Sequence, residues 1–328
     1  MEAEFLAELA NRARCAPPHP AVRIGIGDDA AVLRAMTDEP VITVDMLMDG
    51  TDFHADRLEP SWIGRKSLAV NLSDLAAMAA RPVAAFVAVA LPKSGIPYHH
   101  TLQRPVPVEE LAREILAGIT LLANEFGVAI AGGDTNTWDA PLAISVTMIG
   151  ESTPDGVLRR DGARPGDAIL VTGSLGGSIL SHHVDFTPRV RESLHLNARY
   201  QIHAAIDISD GLSLDLSRLA SASGVGAIVD TRSIPISDDA RRLAESERLL
   251  HPQEKCRSPL EHALGDGEDF ELILAVPPDE AKRILCDHAA QDSPRLTWIG
   301  TFCNEPGLWH CNGATHSLVP LTPDGWLH

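Results

Sequence analysis

Hydrophobic residues in this chain come in short runs that stop at acidic or glycine-rich turns. The clearest case is Ala204–Leu214, AAIDISDGLSL: an apolar run, two carboxylates at Asp207 and Asp210, a glycine, then apolar residues at helical spacing. This pattern predicts a buried strand that ends where a helix begins. In open α/β sheets, ligands collect at such strand ends. Similar alternation runs through both halves. MEAEFLAELANRAR predicts an amphipathic helix, and VITVDMLMDG a strand by its alternation and β-branched content. Glu59-Pro60-Ser61 opens a long helix to about Ala80, with Ser61 as its N-cap. PVAAFVAVALP predicts a buried strand, residues 93–108 an exposed loop, and 108–126 a second helix. VAIA then predicts a short strand, GGDT a turn, and LAISVTMIGE another strand.

Between Gly150 and Pro165 the composition turns polar and rich in glycine and proline, which predicts a domain boundary. The expectation is one domain over 1–150 and a second over 151–328. The second half reads DAILVTG as a strand, the central stretch with a helix to about Ser223, AIVD as a strand and SDDARRLAESERLL as a charged surface helix. DFELILAV, PPDEAKRILCDHAA and LTWIGTF follow as strand, helix and strand. Strands and helices alternate in both halves, so the expected fold is α/β, layered, in two domains. A length of 328 residues suits two cores better than one.

Charge changes this picture. The net charge of −18 argues against nucleic acid, whose phosphates require clustered lysine and arginine. No apolar run reaches the roughly 20 residues needed to span a membrane. The N-terminus has no basic start followed by an apolar core and a small-residue cleavage site, so secretion is not expected. Five cysteines form no CxxC and no zinc-type spacing, which suggests reduced thiols in a cytoplasm.

The remaining signal lies in acids with apolar flanks. Gly25-Ile26-Gly27-Asp28-Asp29-Ala30 matches G-x-G-x-x-A, but only about ten residues separate it from the next strand, too few for the helix that a dinucleotide fingerprint needs. Two carboxylates there also repel a pyrophosphate unless a cation intervenes; an ordinary Asp-rich turn fits equally. Asp45 sits inside a strand, where aspartate is disfavoured and costly to bury alone, although an edge or solvent-facing position also accommodates it. Ser67, Asn71 and Asp74 lie on one stripe of an otherwise apolar helix, which suggests either a lined pocket or the helix's one wet face. Gly132-Gly133-Asp134-Thr135 and Gly265-Asp266-Gly267-Glu268-Asp269 complete the set, each also readable as a plain turn. Asp210 fits an N-cap as well, which leaves Asp207 unaccounted for. Hard oxygen donors in such numbers suit Mg²⁺, and Mg²⁺ with phosphate suits phosphoryl transfer. The Walker loop and the HRD and DFG sets of protein kinases are absent.

In this order, GIGDDAAVL, TVDMLMDG, KSLAVNLSDLAAMAARP, AGGDT, RRDGARPGDAILVTG, AIDISDGL, GEDFEL and the terminal DGW resemble the thiamine-monophosphate kinases of the aminoimidazole ribonucleotide synthetase-like ATP-binding superfamily. The resemblance covers nearly the whole chain. It implies two α/β domains, with N-terminal mixed sheets pairing across a homodimer and a site between the domains. The implied reaction converts ATP and thiamine monophosphate to ADP and thiamine diphosphate by direct in-line transfer. It further implies that several Mg²⁺ ions are held by Asp29, Thr43, Val44, Asp45, Asp74, Asp134, Asp207 and Asp210, with Asp207 and Asp210 at the catalytic centre. Gly133, Asp134, Arg160 and Ser209 are the implied ATP contacts. Asp52, Glu268 and Trp326 are the implied contacts to the substrate, whose cationic ring can stack on an indole.

Three positions depart from the family pattern. Val44 replaces a threonine, where the backbone carbonyl can still serve as the ligand. Asp52 stands where the family has a histidine, with His54 two residues on. The segment between Gly177 and Asp207 is short, and the Pro-rich insertion near 96–107 defaults to a disordered or dimer-surface loop. Two other readings remain. One is a sister synthetase, for aminoimidazole ribonucleotide or selenophosphate. The other is a non-catalytic ATP-binding assembly factor, against which the ending Trp326-Leu327-His328 argues.

Overall fold

The computed structural model describes residues 19–26, 30–251, 253, 255–288, 294–311 and 317–326. The expected N-terminal helix, Cys15 and Asp29 lie outside them. The chain divides into two compact units, one reaching Leu75 and resuming over Ala80–Pro154, the other comprising Ala76–Ala79 and everything from Asp155 onward. The division at Pro154 falls within the glycine- and proline-rich stretch.

In the first unit, β1 (Val22–Ile24) and β2 (Val32–Leu33) form a small antiparallel pair. The main elements are β3 (Pro40–Met48), α1 (Pro60–Ala77), β4 (Arg81–Pro92), β5 (Ile96–His99), β6 (Arg104–Val106), α2 (Val108–Phe126), β7 (Ala129–Trp138) and β8 (Ala143–Glu151). Strands β3, β8, β4 and β7 make a four-stranded mixed sheet in that order, with only β4 and β7 parallel. Helix α2 is the crossover that a parallel pair requires. Helices α1 and α2 pack very closely where Gly64 meets Gly118. A Cβ on Gly64 would lie 1.9 Å from the Ile115 carbonyl oxygen, and one on Gly118 would lie 1.8 Å from that of Ser61. Only glycine fits at either position.

Helix α2 spans the predicted residues, because its apolar residues keep a strict helical period over five turns. Elsewhere the structure differs from the sequence expectation. Helix α1 begins at Pro60, whose missing N–H suits a first helical turn, and both Trp62 N–H and Ile63 N–H bond the Glu59 carbonyl. Ser61 is therefore inside the helix and is not its cap. Residues 93–108 hold the β5–β6 hairpin, not an exposed loop: Ile96, His99 and Val106 are buried, and the His99 Nε2 lies 3.0 Å from the Leu58 carbonyl. The Gly132-Gly133-Asp134-Thr135 segment is no turn. It continues β7 alongside β4, where a Cβ on Gly133 would sit 2.0 Å from the Val87 carbonyl oxygen. The glycines are there for the close approach of two strands.

In the second unit, β9 (Ala168–Thr172), a short 3₁₀ turn, α3 (His182–Asp185), α4 (Val190–Arg199), β10 (Ala204–Asp207), α5 (Leu212–Ala222) and β11 (Gly226–Val229) come first. Then follow α6 (Asp238–Leu250), α7 (Pro259–Gly265), β12 (Leu272–Val276), α8 (Pro278–His288), β13 (Leu296–Cys303), β14 (Gly307–Cys311) and β15 (Leu318–Pro320). Their sheet runs β10-β12-β9-β13-β11-β14-β15, antiparallel except between β11 and β14. Its core joins Ile169, Val171, Ile206 and Ile273 of the strands to Leu212, Leu216 and Leu219 of α5. The structure is thus a mixed α/β fold in two units. Helix α7 and strands β14 and β15 had no counterpart in the sequence reading. In the DFELILAV segment, only Leu272–Val276 is strand, and Asp269–Glu271 lies in the preceding loop.

Candidate active site

The first group of candidate residues gathers on β3. Strand alternation turns Thr43, Asp45 and Leu47 toward α1, and Ile42, Val44, Met46 and Met48 away from it. The Thr43 hydroxyl donates to Asp74 Oδ2 on α1, which fixes that facing. Asp45 Oδ2 is buried and has no hydrogen-bond partner among the described residues. Burial, with the charges of Asp74 and Asp52 adding to it, lifts the Asp45 pKa to about 7. A carboxylate in this position is costly to ionise without a compensating positive charge.

Around this pair the helical stripe proves to be inward-facing. Ser67 Oγ donates to the Gly64 carbonyl at 2.8 Å and Asn71 Nδ2 to that of Ser67 at 3.1 Å, both deeply buried, while Asn71 Oδ1 has no partner among the described residues. Asp52 orders the turn after β3. Its Oδ2 accepts the Met48 N–H at 2.7 Å, and its carbonyl accepts Lys66 Nζ at 2.7 Å. Asp134 is exposed. The register aligns it with Ala88 and, through Ser145, with Met46, so alternation places it on the sheet face opposite Asp45.

The second group surrounds the β10–α5 turn. Asp207 ends β10, buried. Asp210 does not cap α5. The cap position is Gly211, and the carboxylate that satisfies the helix start is Asp215, whose Oδ2 accepts the N–H groups of Asp210 at 2.9 Å and Gly211 at 3.2 Å. Arg218 bridges Asp210 and Asp215 and holds the Asp210 side chain in place. Burial pushes Asp215 up to about 6; its backbone bond to Asp210 pulls it down, the Asp210 charge pushes it up, and Arg218 opposes the rise. Asp215 was not singled out in the sequence. Its signal was the acidic residue one helical turn after SDG, hidden by the reading of Asp210 as a cap.

The same turn is a docking point for two distant segments. Glu268 N–H donates to the Ser209 carbonyl at 2.6 Å, and Trp326 N–H to the Asp210 carbonyl at 3.0 Å. Trp326 Nε1 donates to the Asp266 carbonyl at 3.0 Å, and the residue as a whole is 59% exposed. Glu268 adopts a positive φ of 53°, an uncommon conformation for glutamate. The structure therefore brings Ser209, Asp210, Glu268 and Trp326 together. Arg160 is exposed, and its carbonyl accepts the Ser223 hydroxyl at 3.0 Å. Among the described residues, no three His, Cys, Asp or Glu side chains form a ready-made metal cage. Paired carboxylates plus a hydroxyl, with one oxygen orphaned, fit a cation that takes its remaining ligands from water and substrate phosphate.

Two family models match this chain: the AIR synthase related protein N-terminal domain over residues 27–152 and the C-terminal domain over 164–308. It is also similar to thiamine-monophosphate kinase from Rhodopirellula baltica, with 41% identity over 100% of this chain and 97% of that one. The corresponding protein of Caulobacter vibrioides is 32% identical over 94% of this chain and 86% of its own. The crystal structure of thiamine-monophosphate kinase from Stenotrophomonas maltophilia superimposes with a TM-score of 0.76 at 32% identity, covering 93% of this chain and 95% of that chain. Within the AIR synthase-related proteins, the chain therefore belongs to the thiamine-monophosphate kinase family. Escherichia coli HypE, a hydrogenase maturation protein, shares the fold at 18% identity and a TM-score of 0.74.

Proposed function

We propose that this protein transfers the γ-phosphoryl group of ATP to thiamine monophosphate, giving thiamine diphosphate and ADP. The observation that carries this reading is the meeting of Ser209, Asp210, Glu268 and Trp326 at one turn, in a chain aligned over its full length with a thiamine-monophosphate kinase. A fold relative of known structure, AaThiL complexed with AMPPCP and TMP, matches at 24% identity and a TM-score of 0.70, which supports the same pair of substrates.

Chemically, the acceptor is a phosphate oxygen, already ionised at neutral pH, so no strong general base is required. The protein's task is to position two polyanions in line. The exposed Trp326 indole offers a face to the cationic thiazolium ring, and Glu268 balances its charge. Asp52 completes the substrate set. Ser209, Gly133, Asp134 and Arg160 are assigned to ATP. Thr43, the Val44 carbonyl, Asp45, Asp74, Asp207 and Asp210, with Asp29, are assigned to hold Mg²⁺, and Asp134, on the other face of the sheet, is assigned to a different Mg²⁺ ion from Asp45. Bound there, Mg²⁺ supplies the charge screening that two phosphates need to approach. Arg218 keeps Asp210 in one rotamer before any cation binds.

The test is ADP release, followed with Mg-ATP and each candidate acceptor. ADP formation that requires both Mg²⁺ and thiamine monophosphate is the expected result. Turnover with a different acceptor only, or ATP binding without turnover, overturns the assignment.

The working form is a homodimer in the cytoplasm, where ATP is supplied; Cys256, Cys286 and Cys303 are unbridged. No helix of the described residues is long and apolar enough to cross a membrane. The outward row of β3 argues for the dimer: Ile42, Val44, Met46 and Met48 are 43–61% exposed on one sheet face. Apolar rows of this kind mark contact surfaces. The double substitution Val44→Glu and Met46→Lys is expected to halve the mass measured by light scattering. An unchanged mass in the variant refutes this interface.

A further inference from the structure

The second unit holds a cavity that the kinase reading does not use. It is open to solvent on one side and has a volume of about 920 Å³, within the range of small-molecule sites. Asp269, next in sequence to Glu268, faces it. Asp269 is 2% exposed; Oδ1 accepts the Gly176 N–H at 2.8 Å, and Oδ2 is buried without a partner among the described residues. Thr297 Oγ1, also on the wall, is likewise buried and unpartnered. Burying such an atom is costly unless something bonds to it. Burial holds the Asp269 carboxyl well above the usual carboxylate range and favours its protonated form, which both donates and accepts.

The rest of the lining narrows the ligand. Trp298 and Pro235 provide flat apolar surface. Arg241 and Arg295 are exposed and form no ion pair among the described residues. Arginine forks match phosphate oxygens two at a time.

We propose that this cavity is a second ligand site, for a small organic phosphate built on a heteroaromatic ring with a hydrogen-bonding edge. The ring lies along Trp298, its edge bonds Asp269 and Thr297, and its phosphates pair with Arg241 and Arg295. Nucleotides and thiamine phosphates share this chemistry, so the experiment separates them.

The test is isothermal titration of the full-length protein in EDTA, which removes the divalent cations that the acidic site depends on. The probes are ADP, thiamine diphosphate and inorganic pyrophosphate. At least one ring-bearing probe is expected to bind at one site per chain, more tightly than pyrophosphate, and the tighter of the two names the source. The double variant Arg241→Glu/Arg295→Glu should weaken that binding at least tenfold, with the melting temperature and Mg-dependent kcat unchanged. Both arginines are exposed, so the fold does not rest on them. Absence of binding by both ring-bearing probes overturns the proposal. So does equal binding by the variant, and so does pyrophosphate binding as tight as theirs, which reduces the cavity to a bare anion site.

Discussion

Asp45→Asn is expected to lower kcat on the order of 10²–10³-fold while making the metal-free protein more stable at pH 8. The two effects share one cause. With a pKa of about 7 in the fold against 3.8 in the unfolded chain, Asp45 keeps its proton in the folded state between about pH 4 and 7, where the unfolded chain has released it. Folded protein then binds more protons, so stability falls as pH rises through that window. Above it, the cost of holding the buried charge is fully present, up to roughly 4 kcal/mol. Asparagine removes the charge and with it the proposed cation ligand. Melting curves at pH 5 and pH 8, with and without Mg²⁺, check this. Mg²⁺ should raise the melting temperature of the wild type more at pH 8 than at pH 5, and at pH 8 raise that of Asp45→Asn by less than that of the wild type. A variant less stable at pH 8 than the wild type, or one that keeps its turnover, contradicts the assignment of Asp45.

The second large effect is on the fold. Arg189→Met is expected to destabilise the second unit by about 3–5 kcal/mol, read as a shift of the urea midpoint. Arg189 Nε donates to Glu271 Oε2 at 2.7 Å, and its Nη2 bonds Oε1. Glu271 is 1% exposed and also accepts the Thr172 hydroxyl at 2.5 Å. Removing the guanidinium strands a buried carboxylate beside Asp269. Adding Glu271→Gln to the variant should recover a large part of the loss, because the stranded charge is gone. If the single variant unfolds at the wild-type midpoint, the pair has no structural role.

How much of this was legible in the sequence depends on the kind of signal. Helix α2 was read to its ends because a long amphipathic period leaves little choice of face. The β10–α5 turn was legible because two acids between an apolar run and a helix have few places to go. GGDT was misread as a turn, since paired glycines signal turns and close strand packing alike; only the Val87 carbonyl against Gly133 separates the two. The β5–β6 hairpin was hidden by its prolines, with its burial carried by Ile96, His99 and Val106, too few and too spaced to form a pattern. Asp52 looked like a replacement for a substrate contact, and the structure adds a local duty, the turn bond to Met48. The cavity at Asp269 left no trace in the sequence, because its walls come from four separated segments.

The outward row of β3 bears on how this protein must be handled. Strand β3 is also the edge of its sheet, so a single chain offers open backbone and apolar side chains on the same strand. If the proposed dimer forms, thermal tolerance rises with protein concentration, and dilution, more than heat, is the treatment that exposes its weak point.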